Sequence, residues 1–303
     1  MEKTTVGFVG LGNMGGRIVR RLVAAGYAIL GSDSVAGRAQ ACGAFEARSL
    51  AEVAQQAETI FLSLPDSHVV EAVVEGADGL LANARAGQVV VDLSTAAASS
   101  SIRLAQRFTE RGATYIDAGI SGGAAAAEKG TLTLMVGGDK AAVDSLAPLF
   151  ALFSAKVVHM GASGAGHTTK LLNNFLNAVS LAASAEVMVA GKKAGLDLHL
   201  LLDVINSSSG VNYATLNRFP KIVDGDYLEG GLTGKLMTKD VALYIERARE
   251  LGVASLNAAG PMACFGLGTA LGYGDKISNR VVDAIGDVSG GVRLHSPQGK
   301  TEK

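Results

Sequence analysis

Short apolar runs recur along the first 160 residues with the spacing of strands that alternate with helices. Residues 6–9 form the first run, and the later runs lie at residues 27–30, 59–64, 89–92, 114–117, 131–136 and 156–159. Continuous apolar runs are typical of strands that are covered on both faces, as in parallel sheets. The pattern predicts an α/β fold with a doubly wound, mostly parallel sheet, and the shorter connections near its end leave room for an antiparallel strand.

After Gly166 the spacing becomes helical, and no further strand is predicted. The predicted helices are residues 167–194, 198–207, 213–225, 235–251, 255–271 and 277–288. The first is long enough to join two domains. The predicted domains are an N-terminal sheet domain over residues 1–163, an interdomain helix over 164–194, an all-α domain over 195–296 and a loose tail over 297–303.

Composition and charge argue against several classes of partner. The 303 residues carry a net charge of −1 without a basic patch or an acidic tail, so we expect no nucleic acid and no anionic membrane as partner. The apolar stretch over residues 171–191 contains three asparagines and Glu186. These polar side chains favour a buried helix over a membrane span.

Cysteine and histidine usage is typical of a protein without a metal site in a reducing compartment. The five histidines are scattered, and none stands at a metal-ligand spacing from another His or Cys. Cys42 and Cys264 are too far apart in sequence to suggest a disulfide framework. Because no secretory signal is predicted at the N-terminus, we expect a cytoplasmic protein.

A glycine-rich turn follows the first predicted strand. Gly10, Gly12 and Gly15 stand in the spacing Gly-x-Gly-x-x-Gly, a helical pattern follows, and Asp33 lies just after the second apolar run. In dinucleotide-binding units the first glycine permits the tight turn, the second lets a pyrophosphate approach the backbone, and the third lets helix and strand pack closely. The helix N-terminus then binds the phosphates, and the acid binds the ribose. Strand, turn, helix and acid together predict a Rossmann domain.

Small and polar residues follow three of the predicted strands. These segments are Ser63-Leu64-Pro65-Asp66, Asp92-Leu93-Ser94-Thr95 and Asp117-Ala118-Gly119-Ile120-Ser121-Gly122-Gly123. Ligands of open α/β sheets bind outside the carboxyl ends of the strands, so these segments line the predicted cofactor edge. The Ser-Gly-Gly end of the third segment offers a hydroxyl and close backbone N–H groups, which suit a carboxylate. An ordinary strand-to-helix turn would have the same composition.

The start of the long helix carries a candidate for proton transfer. Lys170 and Asn174 are four residues apart and share a helix face, with Asn177 one turn further. A lysine in an apolar helix is costly unless it has a partner or a task, and burial lowers its pKa toward the range useful for proton transfer. A second interpretation stays open, in which Lys170 snorkels from a domain seam and pairs with an acid such as Asp240.

Two nearby features have ordinary structural interpretations. His167 lies less than one turn before Lys170 and is interpreted as a cap of the helix start, although it could also tune the lysine or contact a substrate. Lys239 and Asp240 stand early in another predicted helix, and taken alone they resemble a solvated charge pair.

Four motifs in order resemble those of the β-hydroxyacid dehydrogenase family, which includes 3-hydroxyisobutyrate dehydrogenase and tartronate semialdehyde reductase. The resemblance covers residues 5 to about 290. The motifs are the cofactor signature at residues 7–15, a substrate-binding motif at 117–123 continuing to 130–132, a catalytic motif Gly164-x-Gly-x-x-x-Lys170-x-x-x-Asn174, and a block Leu236-Met237-Thr238-Lys239-Asp240.

The resemblance implies hydride transfer between NAD or NADP and a small 3-hydroxy acid or its semialdehyde, without a metal. It implies that Lys170 is the general acid/base and that Asn174 orients the reacting group. It implies substrate contacts at Ser121, Gly122, Gly123, Asp240 and, by alignment, Leu232. The implied cofactor contacts are Gly10, Leu11, Gly12, Asn13, Met14, Asp33, Ser34, Leu64, Pro65, Thr95 and Lys239.

The chain departs from the family pattern near the expected site. Gly119-Ile120 stands where the family usually has Pro-Val, Ala98 stands where a proline is common, and Leu232 aligns with a bulky aromatic residue. These departures predict a substrate that differs from those of the best-known members. Lys170 is present, which argues against the related imine reductases and against non-catalytic relatives that lack the lysine.

The choice between NAD and NADP depends on the residues that follow the second predicted strand. Asp33 can accept hydrogen bonds from the adenosine ribose and repels a 2′-phosphate, and Ser34 is not the arginine that often accompanies NADP. Arg38 is close enough in sequence to act against this preference. We expect NAD rather than NADP.

The sequence also leaves alternative functions open. The alternatives to a 3-hydroxy acid dehydrogenase are a tartronate or succinic semialdehyde reductase or a glyoxylate-type reductase, a reductase of imines or short aldehydes, and a non-enzymatic NAD(P)-binding protein.

The helical domain has apolar faces that one bundle can hardly bury, so we predict a homodimer or homotetramer that acts on a small carboxylate-bearing substrate.

Overall fold

The computed structural model describes residues 5–295, which form two compact units that divide between Lys170 and Leu171. Helix α9, Ala165–Lys193, covers most of the range predicted as an interdomain helix, and the division falls within it. The predicted tail, residues 297–303, lies outside the described residues. Among the described helices none is both long enough and apolar enough to cross a membrane.

The first unit contains an eight-stranded sheet with the strand order β3-β2-β1-β4-β5-β6-β7-β8. The strands are β1 Val6–Val9, β2 Ile29–Ser32, β3 Phe45–Glu46, β4 Thr59–Leu62, β5 Val89–Asp92, β6 Thr114–Ser121, β7 Leu132–Gly137 and β8 Ser154–Gly161. Every neighbouring pair is parallel except β6 and β7, which are antiparallel. The predicted doubly wound sheet is confirmed. Strand β3 escaped prediction because it has only two residues, and both are exposed.

Helices cover both faces of this sheet. They are α1 Gly15–Ala24, α2 Arg38–Ala41, α3 Leu50–Gln56, α4 Ser67–Glu75, α5 Ala98–Thr109, α6 Gly123–Lys129, α7 Lys140–Ser145 and α8 Ala147–Phe150. Successive strand residues enter different cores, since Phe61 and Ile116 lie in one hydrophobic cluster while Leu62 and Tyr115 lie in the other. Because side chains alternate along a strand and both faces are buried, the strands appear in the sequence as continuous apolar runs.

The second unit is helical. It contains most of α9, then α10 Leu198–Asn206, α11 Tyr213–Asn217, α12 Phe219–Ile222, α13 Gly234–Glu250, α14 Ala259–Ala270 and α15 Val281–Val288, with 3₁₀ turns at Leu256–Ala258 and Ser278–Arg280. Its core includes Leu181, Phe219, Val241 and Phe265. The helix predicted over 213–225 is observed as α11 and α12, because Pro220 in the first turn of α12 has no N–H with which to continue the preceding helix.

Candidate active site

The glycine-rich turn between β1 and α1 has the geometry that its three glycines predict. Gly10 has φ +90°, where a side chain would be strained and would strike the carbonyl of Ser63. A Cβ at Gly15 would strike the carbonyl of Gly10 and approach the Phe8 ring to 3.0 Å, so α1 packs directly on β1. At Gly12 the nearest atom to an added Cβ is a guanidinium nitrogen at 4.0 Å, which leaves the backbone open.

No side chain caps the N-terminus of α1, which begins at Gly15 just after Met14. The first N–H groups of a helix need an external partner, and an anion is a favourable one. Together with the open backbone at Gly12, this end of α1 fits the pyrophosphate of a dinucleotide.

Asp33, just beyond β2, is tied to the glycine-rich turn. Its Oδ2 accepts from the Leu11 N–H over 2.7 Å, and its Oδ1 accepts from the Val35 N–H over 2.9 Å. The guanidinium of Arg38 pairs with Oδ1 at 3.1 Å. Burial raises the pKa of Asp33, but these N–H groups and Arg38 outweigh that effect and hold the pKa below its ordinary value. Asp33 is therefore an ionised acceptor beside the turn, while Ser34 is exposed.

Two loops at the carboxyl edge of the sheet are joined by hydrogen bonds. The N–H of Leu64, after β4, donates to Ser94 Oγ over 2.9 Å, and the N–H of Ser94 donates to Asp92 Oδ1 over 2.9 Å. Asp92 is fully buried, and its Oδ2 accepts from the Tyr115 hydroxyl over 2.8 Å. Burial and the Asp92 carboxylate raise the pKa of the Tyr115 hydroxyl well above its ordinary value. The network fixes the loops that carry the predicted cofactor residues Leu64, Pro65 and Thr95.

A buried carboxylate caps the helix that carries Lys170. The side chain of Asp117, on β6, accepts from the Gly164 N–H over 2.7 Å and from the His167 N–H over 2.8 Å. These are first-turn donors of α9 that would otherwise lack partners. The sequence contained a signal for this contact, since Asp117 closes an apolar run, but it does not show where that carboxylate points.

His167 has a different environment from that predicted. Its side chain is 0% exposed, with Nδ1 at 2.7 Å from Ser101 Oγ and Nε2 at 3.2 Å from the carbonyl of Asp92. Both ring nitrogens therefore have hydrogen-bonding partners within the first unit. The interpretation of His167 as the helix cap is wrong, because Asp117 is the cap. Its ring is fully buried and presents no exposed atom to a substrate.

The remaining predicted residues of the first unit surround the end of β6. Ser121 is the last residue of β6, and Gly122 and Gly123 follow with φ +123° and +67°. Both glycines are exposed, so their backbone is accessible to a ligand. Lys170 lies on the second turn of α9 and is partly exposed.

In the second unit three predicted residues form a cluster. Asn174, on α9, is 5% exposed, and its Nδ2 donates to Asp240 Oδ2 over 2.5 Å. Lys239 Nζ lies 3.3 Å from Asp240 Oδ1. Asp240 is 1% exposed, so the interpretation of Lys239 and Asp240 as a solvated pair is wrong.

One oxygen of Asp240 retains an open acceptor position. Oδ1 is buried and accepts no hydrogen bond from the described residues, although Lys239 is within ion-pair distance. Both observations hold if the Lys239 ammonium is close enough to Oδ1 for an ion pair but does not point an N–H group at it. A buried carboxylate oxygen in this state is suited to accept a proton-bearing group of a ligand.

Leu232 lies in the segment between α12 and α13. It is partly buried against the core of the second unit, and its carbonyl accepts from the Ser278 N–H over 2.8 Å. Among the described residues other than glycine, Leu228 in the same segment is the one with a positive φ, at +58°. Among residues 5–295 no group of His, Cys, Asp and Glu side chains could hold a metal ion.

Two family models match almost the whole chain. Residues 5–161 match the NAD binding domain of 6-phosphogluconate dehydrogenase. Residues 164–284 match the model described as NAD-binding of NADP-dependent 3-hydroxyisobutyrate dehydrogenase.

Individual relatives agree with these models. The 2-(hydroxymethyl)glutarate dehydrogenase of Eubacterium barkeri is 34% identical over 96% of this chain and 98% of its own length. The NAD-dependent L-serine dehydrogenase of Pseudomonas aeruginosa is 35% identical over 89% of this chain and 94% of its own length. The structure of Mycobacterium tuberculosis 3-hydroxyisobutyrate dehydrogenase with L-serine has a TM-score of 0.85 and 29% identity, and covers 92% of this chain and 98% of that one.

Proposed function

The chain belongs to the β-hydroxyacid dehydrogenase family and is an NAD(P)-dependent oxidoreductase, and from this premise we propose that it oxidises a small 3-hydroxy acid to its semialdehyde with Lys170 as general acid/base. The observation that carries the proposal is the helix α9. It places Lys170 and Asn174 one turn apart, with a buried carboxylate capping its first turn and another holding Asn174.

NAD is the proposed cofactor. The open backbone at Gly12, the uncapped start of α1 and the ionised Asp33 fit its pyrophosphate and adenosine ribose. The proposed contacts with the remainder of the cofactor are Leu11, Asn13, Met14, Ser34, Leu64, Pro65, Thr95 and Lys239. When bound, NAD supplies the nicotinamide ring that accepts the hydride.

Lys170 would move the proton. In oxidation its neutral Nζ takes the hydroxyl proton of the substrate, and in reduction the ammonium returns a proton to the carbonyl oxygen. Asn174 would orient the reacting group: its Nδ2 carries two hydrogens, Asp240 engages one of them, and the proposal assigns the other to the substrate oxygen. The bond to Asp240 fixes the rotation of the amide and so fixes the direction of that donor.

The relatives supply a chemical definition of the substrate. In 2-(hydroxymethyl)glutarate, L-serine and 3-hydroxyisobutyrate a CH₂OH group and a carboxylate are attached to the same carbon. The three compounds differ only in the remaining non-hydrogen substituent of that carbon. We propose that Ser121, Gly122 and Gly123 bind the shared carboxylate, and that Asp240 and Leu232 contact the variable part.

The test is a panel of initial rates with NAD and with NADP. It would contain 3-hydroxyisobutyrate, serine, 2-(hydroxymethyl)glutarate and 3-hydroxypropionate, together with ethanol as an alcohol that lacks the carboxylate. We expect turnover of at least one 3-hydroxy acid and none of ethanol. Turnover of simple alcohols or imines alone would overturn the substrate assignment.

The role of Lys170 is tested by Lys170→Ala. Loss of a general acid/base lowers kcat by ~10²–10⁴-fold. Lys192→Ala is the matched control, since Lys192 is an exposed lysine in the last turn of the same helix. Near wild-type turnover in Lys170→Ala would overturn the mechanism.

We also propose a homodimer or homotetramer in the cytoplasm. Large apolar side chains are exposed on the second unit, including Leu196, Leu200, Val204 and Leu256, the last 85% exposed. Exposed apolar surface of this kind favours burial in an interface. Cys42 and Cys264 are both free and buried, which suits a reducing compartment. A monomer in sedimentation at micromolar concentration would contradict the assembly.

A further inference from the structure

Gly119 lies against the base of the Lys170 side chain. A Cβ at Gly119 would lie 2.5 Å from Lys170 Cβ, 3.1 Å from Lys170 Cγ and 3.3 Å from the carbonyl of Gly166. Gly119 is an interior residue of β6 without a positive φ, so its backbone conformation does not require glycine. The contact with α9 is the feature that requires the missing side chain.

The atoms that face Gly119 cannot rotate away. The position of Lys170 Cβ is set by the backbone of α9, unlike the far end of the lysine chain. Ordinary van der Waals contact begins at 3.4 Å, so any side chain at this position must displace the helix by about an ångström.

The start of α9 is also held from other directions. Asp117, two residues before Gly119 on β6, accepts from the N–H groups of Gly164 and His167. A Cβ at Gly166 would approach the Gly137 nitrogen on β7 to 2.8 Å, so this turn lies directly on the sheet. Because these contacts oppose a shift, a side chain at Gly119 would strain the turn that carries Lys170.

We propose that Gly119 is a positioning residue for Lys170, because its missing side chain lets the base of that lysine lie directly on β6 and so sets the reach of the amine. This inference rests on the proposed function, in which the amine transfers a proton. Proton transfer needs heavy atoms within about 2.6–3.2 Å of each other, and a misplacement of about 1 Å can cost ~10²-fold in rate.

The first test is Gly119→Ala. We expect kcat for the hydroxy acid to fall ~10–100-fold, while the Kd for NADH stays within about twofold. The kinetic isotope effect on kcat with carbinol-deuterated substrate should rise, because the chemical step becomes slower. Gly191→Ala is the matched control, since Gly191 lies near the far end of α9 and its Cβ would lie equally close, 2.5 Å, to Leu201 Cδ2 on α10. It should leave kcat and the isotope effect unchanged.

A double-mutant cycle asks whether Gly119 acts through Lys170. In the Lys170→Ala background the amine is absent, so adding Gly119→Ala should change the residual rate by less than about threefold. An equal fall in both backgrounds would overturn the inference, as would full kcat in Gly119→Ala. If Gly119→Ala does not fold, Lys170→Gly should restore folding in the double variant, because it removes the Cβ that a side chain at position 119 would meet at 2.5 Å. A double variant that stays unfolded would overturn the inference.

The inference remains testable if the proposed function fails. Lysines are reductively methylated with ¹³C, and the Lys170 resonance is assigned by its loss in Lys170→Ala. Gly119→Ala should shift this resonance and its titration, whereas Gly191→Ala should not. A wild-type protein that oxidises no hydroxy acid but shows this shift overturns the function alone. An unmoved resonance overturns the positioning role.

Discussion

The amide of Asn174 donates through Nδ2 to Oδ2 of Asp240 over 2.5 Å, and both side chains are almost fully buried. The two residues are 66 positions apart and lie on α9 and α13. The bond therefore joins the helix of the proposed catalytic motif to the helix of the Lys-Asp block. It also leaves Oδ1 of Asp240 as a buried acceptor.

Asp240→Asn should lower kcat/KM for the hydroxy acid by ~10–100-fold. The substitution keeps the shape but removes the charge, and a hydrogen bond to a charged group contributes about 1.5–3 kcal/mol. Steady-state kinetics with NAD in excess measures the change. Glu246→Gln, at an exposed position of the same helix, is the control and should have wild-type kinetics. Equal kinetics in the two variants would show that Asp240 does not act on the substrate.

Asp33→Asn should change the cofactor preference. Removing the carboxylate removes the repulsion of a 2′-phosphate and releases Arg38 from its ion pair. The ratio of kcat/KM with NAD to that with NADP should fall at least ~10-fold, as expected for about 1.4 kcal/mol of lost discrimination. The ratio is measured with one substrate and both cofactors. An unchanged ratio would assign the preference to other residues.

Asp33 should also contribute to the acid sensitivity of the fold. Its pKa in the folded protein is below the ordinary value of 3.8, so the folded state favours the ionised form. This stabilisation is fully present above about pH 3.8 and is lost as the pH falls through the folded pKa. Urea unfolding at pH 7 and pH 3 should show a smaller pH-dependent loss for Asp33→Asn than for the wild type. A loss of equal size would contradict the assignment.

Ser101→Ala should destabilise the first unit by about 1–3 kcal/mol. It removes the hydroxyl that lies 2.7 Å from the buried Nδ1 of His167, and leaving a buried polar atom without its hydrogen bond costs this much. Ser99 is exposed on the same helix, so Ser99→Ala serves as control and should change stability by less than about 0.5 kcal/mol. Denaturant unfolding compares the two, and indistinguishable midpoints would show that water replaces the serine.

The sequence was sufficient for the features that depend on local pattern. The strand, the glycine-rich turn and the acid at Asp33 follow one another along the chain. Gly10 has the predicted turn conformation, Gly12 the open backbone and Gly15 the close packing. Long helices and buried strands were predicted for the same reason. The pattern could not reveal β3, whose two residues are exposed and bury no apolar side chain.

Features that depend on distant pairing could not be predicted. The position of Asp117 at the end of an apolar run does not show that its carboxylate accepts from the Gly164 N–H, 47 residues later, and caps α9. Asp240 has the local context of a surface charge, and only folding removes it from solvent. Gly119 appeared as a departure from a family pattern, whereas the structure supplies the physical reason for its missing side chain.

Strand β6 presents on one of its faces the aspartate that caps α9 and the two residues proposed to position Lys170 and to bind the substrate carboxylate. Asp117, Gly119 and Ser121 alternate with Ala118 and Ile120, and the last two pack into the core on the other face of the sheet. Since side chains alternate with a period of two, a slip of one residue in the pairing of β6 with β7 would misplace all three at once. A one-residue insertion or deletion within β6 would likewise turn the residues that follow it onto the opposite face of the sheet, so the length of this strand matters as much as its composition.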